Sequence, residues 1–204
     1  MVVGRRSEVS ARARGPHIGK AVKLVKENIE NSDARSMQSS HVVAQTKPDQ
    51  ELADHFRSAM RRLSAGVAVV CCADARGPVG LTATSVTSLS MDPPSLLVCI
   101  NRTASLRNSL AINKPFSINL LGRQHAEISN AFGGAARGED KFNFGDWETG
   151  TSGVPILRDA IARVESVVDL EVEYGSHSII VGRVTQCVAA MTGDPLIYAD
   201  GKYM

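Results

Sequence analysis

Aromatic residues are scarce in this chain of 204 residues: five Phe, three Tyr and one Trp, 4% of the sequence. A non-specific single-strand nucleic-acid binder relies on stacking aromatics beside a basic face, so that class lacks its main ingredient. Long hydrophobic runs are absent as well. None approaches the ~20 residues that a helix needs to cross a bilayer, and no membrane role is expected. Net charge is small: 23 Lys+Arg against 21 Asp+Glu gives +2. It is unevenly placed, with nine basic and four acidic residues in 1–47 and fourteen and seventeen in the remainder. A basic tail precedes a slightly acidic body, which argues against nucleic acid as a partner.

The usual catalytic signatures are missing too. Cysteine is limited to Cys71, Cys72, Cys99 and Cys187, with no C-x-x-C pair. Each lies in an apolar stretch and reads as a buried free thiol in a reducing, cytoplasmic setting. The N-terminus has basic residues but no apolar h-region, so no secretory signal is expected. His17, His41, His55, His125 and His177 are scattered, so no metal site is expected. There is no G-x-S-x-G, no H-E-x-x-H and no G-x-G-x-x-G after a strand. Gly15-Pro16-His17-Ile18-Gly19-Lys20 is one residue short of a P-loop, and Ala21 stands where Ser or Thr would be needed. An enzyme built this way takes its reactivity from a bound cofactor.

The sequence does carry clear organisation. Residues 1–50 read as an N-terminal extension. Ile18, Val22, Val25 and Ile29 recur at helical spacing among Lys20, Lys23 and Lys26, either as an amphipathic helix for a surface or as a loosely docked tail. Met37 offers an alternative start. Residues 51–204 read as one domain. Leu52, Phe56, Met60 and Leu63 mark one face of a first helix. Residues 67–72 are a buried strand, Arg76-Gly77-Pro78 a turn, and 80–90 one long extended run ended by Asp92-Pro93-Pro94. Residues 96–100 form another strand, and Ser105 caps a short helix containing Leu106 and Leu110.

Further along, Phe116, Ile118 and Leu120 alternate with Ser117 and Asn119, the pattern of a half-buried strand. Ile128 and Phe132 share a short helix, and 133–153 form a long loop around Trp147. Val168, Leu170, Val172 and Tyr174 alternate with Asp169, Glu171 and Glu173, which predicts a strand with an acidic face in water. Gly175-Ser176 turns the chain into an antiparallel partner at 179–184, and 196–198 make a last short strand. At least six strands with only short helices between them predict a mainly β fold with short α-helices. A doubly wound parallel sheet is excluded, and an antiparallel barrel that closes on itself removes the exposed edges. Thr82, Thr84, Ser85, Thr87, Ser88 and Ser90 place six hydroxyls in nine residues. Such a run is either a solvated sheet face or a lining for the polar edge or phosphate of a flat ligand.

Many short motifs occur in one order. Phe56-Arg57-x-Ala59-Met60 and Gly66-Val67-x-Val69-Val70 come first. Gly80-Leu81-Thr82-Ala83-Thr84-Ser85, Ser88-Leu89-Ser90, Asp92-Pro93-Pro94 and Val98-Cys99-Ile100-Asn101-Arg102-x-x-Ser105 follow. Phe116-x-Ile118-Asn119-Leu120-Leu121, Lys141-Phe142, Trp147, Gly153-x-Pro155, Gly175-Ser176-His177, and Pro195-Leu196-Ile197-Tyr198 with Gly201-x-Tyr203 complete the set. Over residues 52–204 this resembles the short-chain flavin reductases, the NAD(P)H:flavin oxidoreductase components of two-component monooxygenases such as 4-hydroxyphenylacetate and chlorophenol hydroxylases.

The resemblance implies an FMN-binding split β-barrel. It also implies a homodimer with flavin sites near the subunit interface, FMN or FAD as flavin, NADH or NADPH as co-substrate, and reduced flavin passed to a monooxygenase. By motif position, Thr82, Ala83, Thr84 and Ser85 follow the isoalloxazine edge and Ser88 lies near the ribityl chain. Cys99, Ile100 and Asn101 form a second wall, and Ser105 meets the flavin phosphate. Arg102 and Lys141 are further candidates for phosphate or dinucleotide charge. Phe142 and Tyr203 either line a nicotinamide pocket or pack in the core. His177 is the catalytic candidate at the nicotinamide side, with Ser176 where the family carries an aspartate. No protein nucleophile is required, because the two ring systems carry the chemistry.

Other readings remain beside it. One is a flavin barrel reducing ferric iron or cobalamin, and another is a non-enzymatic small-barrel module. A pyridoxamine-phosphate-oxidase-like relative would need a basic phosphate cluster, and Arg61-Arg62 is the only adjacent basic pair in the domain.

Overall fold

A computed structural model describes residues 49–204. The stripe of Ile18, Val22, Val25 and Ile29, and Met37, lie outside the described residues. Helix α1 spans Gln50–Met60, where Asp49 accepts hydrogen bonds from the N–H groups of Glu51 (3.1 Å) and Leu52 (3.5 Å) as its N-cap. Strands follow as β1 (Ala65–Gly66), β2 (Ala68–Asp74), β3 (Gly77–Ala83), β4 (Val86–Met91), β5 (Pro94–Asn101) and β6 (Pro115–Leu120). After helix α2 (Ala126–Asn130) come β7 (Trp147–Thr149), β8 (Pro155–Leu157), β9 (Ala162–Tyr174), β10 (His177–Ala189), β11 (Ile197–Ala199) and β12 (Lys202–Tyr203). Among the described residues, no helix is long and apolar enough to cross a membrane.

Seven strands form one antiparallel sheet in the order β3-β2-β6-β9-β10-β5-β4. The small sheets β1-β11-β12 and β7-β8 lie outside it. The fold is the mainly β, antiparallel class that the sequence predicts. The hydrogen-bonded ladder nevertheless does not close, because β3 and β4 are its two ends. The expected single run at 80–90 breaks at Thr84 and Ser85, and the chain there steps from one end of the ladder to the other. Ser85 turns to β5 instead: its carbonyl accepts the Cys99 N–H at 3.3 Å, and its hydroxyl donates to the Cys99 carbonyl at 2.9 Å.

β2 is buried on both faces. Ala68, Val70 and Cys72 enter a core with Leu96, Val98, Ile100, Phe116 and Ile180, whereas Val67, Val69 and Cys71 pack with Phe132 and Leu157. Each such side chain contributes ~1.5–3 kcal/mol by leaving water. Burial pushes the Cys71 thiol up. It also raises Cys72 to about 12, with Asp74 adding to the effect. Both are inert packing groups at neutral pH. Cys99 is half-buried and Cys187 exposed, so the expectation of four buried thiols holds for two. An apolar neighbourhood in sequence does not say which face of a strand a residue takes.

Two strands depart from their predicted faces. In β6, Ser117 and Asn119 are as buried as Phe116 and Ile118, because the segment ending in β8 covers them. Ser117 donates to the Pro155 carbonyl at 2.6 Å, and Asn119 accepts the Leu157 N–H at 2.9 Å. In β9 the register shifts between the pairs Val181–Leu170 and Gly182–Val168, leaving Asp169 as the bulged residue. The shift reverses the alternation. Val168 is in the core, but Leu170, Val172 and Tyr174 are 53%, 46% and 69% exposed. Glu171 and Glu173 instead point toward Arg107, whose side chain also donates to Ser178 at 3.0 Å.

Glu165 on β9 is buried and gathers the turn at Thr151 and Ser152. It accepts the N–H (3.2 Å) and hydroxyl (2.9 Å) of Thr151, and the N–H (2.7 Å) and hydroxyl of Ser152. Burial raises its carboxyl, but the hydrogen bonds from Ser152 and Thr151 outweigh this and hold it below the ordinary 4.5. Its stabilising contribution is therefore complete above pH 4.5 and lost as the pH falls through the lower folded value. Glu165→Gln is expected to be less stable than the parent at pH 7, with a difference that narrows in acid. Urea unfolding from pH 7 down to pH ~3 checks this, and a gap that stays constant would remove the carboxylate from the account.

Candidate active site

The break between β3 and β4 opens onto a groove of about 790 Å³. One wall is the outer side of the sheet and the two loops beside it, with Thr84, Ser85, Ser176 and His177. The other is the α1 face bearing Phe56, Arg57 and Met60, continued by Arg61. Tyr198, Asp200 and Gly201 of the β11–β12 hairpin close the end. The volume lies within the range of small-molecule and cofactor sites.

The sheet sets the spacing of the polar wall. Ser85 adjoins Cys99, Cys99 pairs with Ile179, and His177 stands two residues along β10 from Ile179. Two strand spacings and two residues of rise separate Ser85 from His177 by about 12 Å, room for a flat fused ring. Among the described residues, the Thr84 hydroxyl has no hydrogen-bond partner, which leaves it available to a ligand's polar edge.

His177 is exposed at the start of β10, and its Nδ1 lies 2.9 Å from the Ser176 hydroxyl. The short side chain thus meets the ring nitrogen without adding a charge. Gly175, at φ +56°, supplies the left-handed residue of this β9–β10 turn. Arg102 braces the turn: its N–H donates to the Ser176 carbonyl (3.0 Å), and its guanidinium donates to the Gly175 carbonyl (3.2 Å) beside Glu173 (3.4 Å).

The other candidates are dispersed. Thr82 is half-buried and donates to the Ser129 carbonyl at 2.7 Å. The Ser129 hydroxyl lies 2.7 Å from Tyr203 Oη, so this chain of contacts ties β3, α2 and the C-terminal hairpin together. Ala83 and Ile100 turn their side chains into the core. Ser88 lies on an apolar hollow with Leu96, Ile118 and Val184, apart from the groove. Cys99 and Asn101 share the outer face with His177, but the Asn101 side-chain oxygen is taken by the N–H and hydroxyl of Thr103, both at 2.9 Å. Ser105 is exposed and begins a 3-10 turn, Ser105–Ser109, in which Ala104 holds the N-cap position and no side chain caps. The predicted cap is absent because the turn starts one residue earlier than expected, with Ser105 inside it.

Lys141 and Phe142 belong to a cluster over β3 rather than to the groove. Phe142 packs edge-on against Phe132 (5.0 Å between centroids) and Trp147 (5.2 Å). Lys141 donates to the Gly80 carbonyl at 3.2 Å and sits over Phe132, and burial lowers its pKa. Gly80 is needed there, since a Cβ would lie 2.6 Å from the Phe132 ring.

Comparison with known proteins completes the description. Residues 60–204 match the sequence profile of the flavin reductase like domain. The chain belongs to this family. Among flavin reductase relatives, an FMN reductase (NADH) RutF of Pseudomonas syringae is 36% identical over 148 residues, 72% of this chain and 83% of its own. The reductase component of an FADH(2)-dependent resorcinol hydroxylase from Rhizobium is 35% identical over 151 residues, 73% and 84% of the two chains. The solved structure of a Streptomyces globisporus NADH:FAD oxidoreductase with NAD and FAD fragments superposes with a TM-score of 0.70 at 26% identity, covering 76% of this chain and 93% of that one.

The α1 residues of the groove were not among the sequence candidates. Phe56 and Met60 were visible in the sequence as one face of a helix and as part of the first motif, with no site role attached. The helix buries none of its residues, and Leu52, Phe56, Met60 and Leu63 are 66%, 65%, 43% and 63% exposed. Arg57 and Arg61 follow them at the same four-residue spacing, the one signal that joins these cations to the same side of the helix.

Proposed function

We propose that the chain is an NADH-dependent flavin reductase that binds FMN or FAD and supplies reduced flavin to a partner monooxygenase. The groove joining Thr84 and Ser85 to His177, in a member of this family, carries the reading. The donor set suits the ligand: neutral hydroxyls for the ring's polar edge and the apolar side chains of Phe56 and Met60 for its face. A bound flavin supplies the hydride acceptor and the nicotinamide the hydride, so the protein needs no nucleophile. Its task is to hold the two rings with reacting atoms ~3–3.5 Å apart. Thr84 and the chain at Ser85 orient the ring edge, Phe56 and Met60 exclude water, and His177 lies where it can orient the incoming nicotinamide. The absence of a dense cationic clamp favours reversible binding and release of the flavin.

A second copy of the chain fits the same reading. The exposed stripe of α1 and the outer row Leu170, Val172 and Tyr174 leave apolar surface beside the groove that a homodimer would cover. Sedimentation of the full chain at micromolar concentration is expected to give a dimer, and a monomer would remove this part of the proposal.

The direct test follows nicotinamide absorbance under air with FMN or FAD added. Loss of NADH absorbance is expected only when flavin is present, and no loss with either flavin would overturn the function. Ferric or cobalamin acceptors in the same assay separate the alternative acceptors. His177→Ala is expected to lower kcat/KM for NADH about tenfold, the scale of a lost positioning contact, while flavin affinity stays unchanged. Complete inactivity with flavin still bound would make His177 indispensable to the chemistry rather than orienting.

A further inference from the structure

We propose that Arg102 is a positioning residue: it fixes the β9–β10 turn so that His177 meets the incoming nicotinamide; the proposal rests on the flavin-reductase reading above. The turn needs such a support. β6 pairs with β9 only as far as Val167, so from Leu170 to Tyr174 that strand has β10 as its one ladder neighbour among the described residues. On the other side β5 ends at Asn101, opposite His177. Gly175 and Ser176 therefore stand beyond the last ladder pair, and His177 is the first residue of β10 that the ladder holds. The end of a ladder opens locally unless something clamps the turn next to it.

Arg102 is that clamp. Its N–H donates to the Ser176 carbonyl at 3.0 Å, which carries the β5–β10 pairing one step past His177. Its guanidinium donates to the Gly175 carbonyl at 3.2 Å and reaches one oxygen of Glu173 at 3.4 Å. The other oxygen of Glu173 lies 3.6 Å from Arg107. Arg107 is anchored in turn: it pairs with Glu171 and donates to the buried Ser178 hydroxyl at 3.0 Å and to the Leu110 carbonyl at 3.4 Å. One chain of contacts thus runs from the 3-10 turn at Ser105–Ser109 through Glu173 and Arg102 to the residue before His177. Ser176, held by its carbonyl, keeps its hydroxyl 2.9 Å from His177 Nδ1. Arg102 and Glu173 are both exposed, and a surface ion pair adds little to stability. What the pair does add is a fixed direction for the turn, since the planar guanidinium uses separate donors for a carbonyl and a carboxylate.

A double-mutant cycle on the full chain, read in kcat/KM for NADH with flavin saturating, tests the assignment. Arg102→Gln is expected to lower kcat/KM about fivefold, less than His177→Ala, because a residue that acts through His177 cannot cost more than the loss of His177 itself. In the His177→Ala background the same substitution is expected to change kcat/KM by no more than about 1.5-fold. Arg102→Lys is expected to recover part of the loss, since its ammonium lacks the fork that serves two partners. Flavin affinity and Tm are expected to match the parent in the Arg102 and Glu173 variants. Glu173→Gln leaves the backbone bond of Arg102 in place and repeats the test independently, with an expected loss of about threefold that also vanishes without His177. Equal losses in the two backgrounds, a loss of flavin affinity, or an unchanged rate in Arg102→Gln overturns the assignment while leaving the reductase reading intact. So does a His177→Ala protein as active as the parent. Failure of the parent to oxidise NADH with either flavin overturns both.

Discussion

Thr84→Trp is expected to leave the domain folded and to weaken flavin binding about a hundredfold, ~2.7 kcal/mol. Thr84 is exposed at the break between β3 and β4, so a larger side chain displaces no core group. It does enter the groove, whose polar wall at this point is only Thr84 and Ser85. An indole there occupies the space that a ring needs to reach the strand edge. Its own burial against Phe56 and Met60 adds apolar contact, which favours the blocked state. The measurement is paired: flavin fluorescence titration for affinity and thermal unfolding for the fold. Unchanged affinity in a folded Thr84→Trp protein would place the flavin elsewhere, and the apolar hollow beside Ser88 would become the next site to probe.

Asn119→Ala is expected to destabilise the domain by about 3 kcal/mol, at the upper end for leaving a buried donor unmatched. Asn119 is wholly buried. Its amide donates to the Val69 carbonyl (3.3 Å) and the Ser117 hydroxyl (3.2 Å), and its oxygen accepts the Leu157 N–H. Truncation strands that N–H under the sheet and opens a gap between β6 and β8. A loss of this size lowers Tm by ~6–12 °C for a domain of this length. Ser117→Ala removes one hydroxyl bond and is expected to destabilise by only about 1 kcal/mol. A loss below about 1 kcal/mol for Asn119→Ala would mean that water or a backbone shift satisfies Leu157.

These two positions mark the boundary of what the sequence reveals. The alternation around Asn119 announces a strand, and β6 is one, but alternation says only that every second residue differs in polarity. Whether the polar side meets water depends on what packs over it, here the segment ending at β8, almost forty residues away. β9 makes the same point differently. The alternation of Val168, Leu170, Val172 and Tyr174 with acids is regular in sequence, yet the bulge at Asp169 turns it over. No residue type at the bulge signals the extra step, since Asp169 is neither Gly nor Pro.

The candidate site divides in the same way. Thr84, Ser85 and His177 were legible because each belongs to a motif that holds its spacing along the chain. Ser88, Ile100, Lys141 and Phe142 carry the same kind of motif signal, yet they lie on other faces or in the aromatic cluster over β3. Motif membership says that a residue matters to the fold or the site, and does not separate the two. Phe56 and Met60 were legible as one face of a helix, but an apolar stripe does not say what that face meets. Here the helix stands against the groove and keeps its stripe exposed.

By itself the sequence determined the mainly β architecture, the antiparallel pairing, the family, and the hydroxyl-rich extended run that only the structure breaks at Thr84 and Ser85. All of these follow from local patterning and from the order of short motifs. Tertiary structure alone decided which end of each motif faces the groove, that α1 with Arg57 and Arg61 forms its second wall, and that Ser117 and Asn119 are covered. Those outcomes depend on contacts between segments far apart in the chain, and on a one-residue register shift that reverses every side chain beyond it.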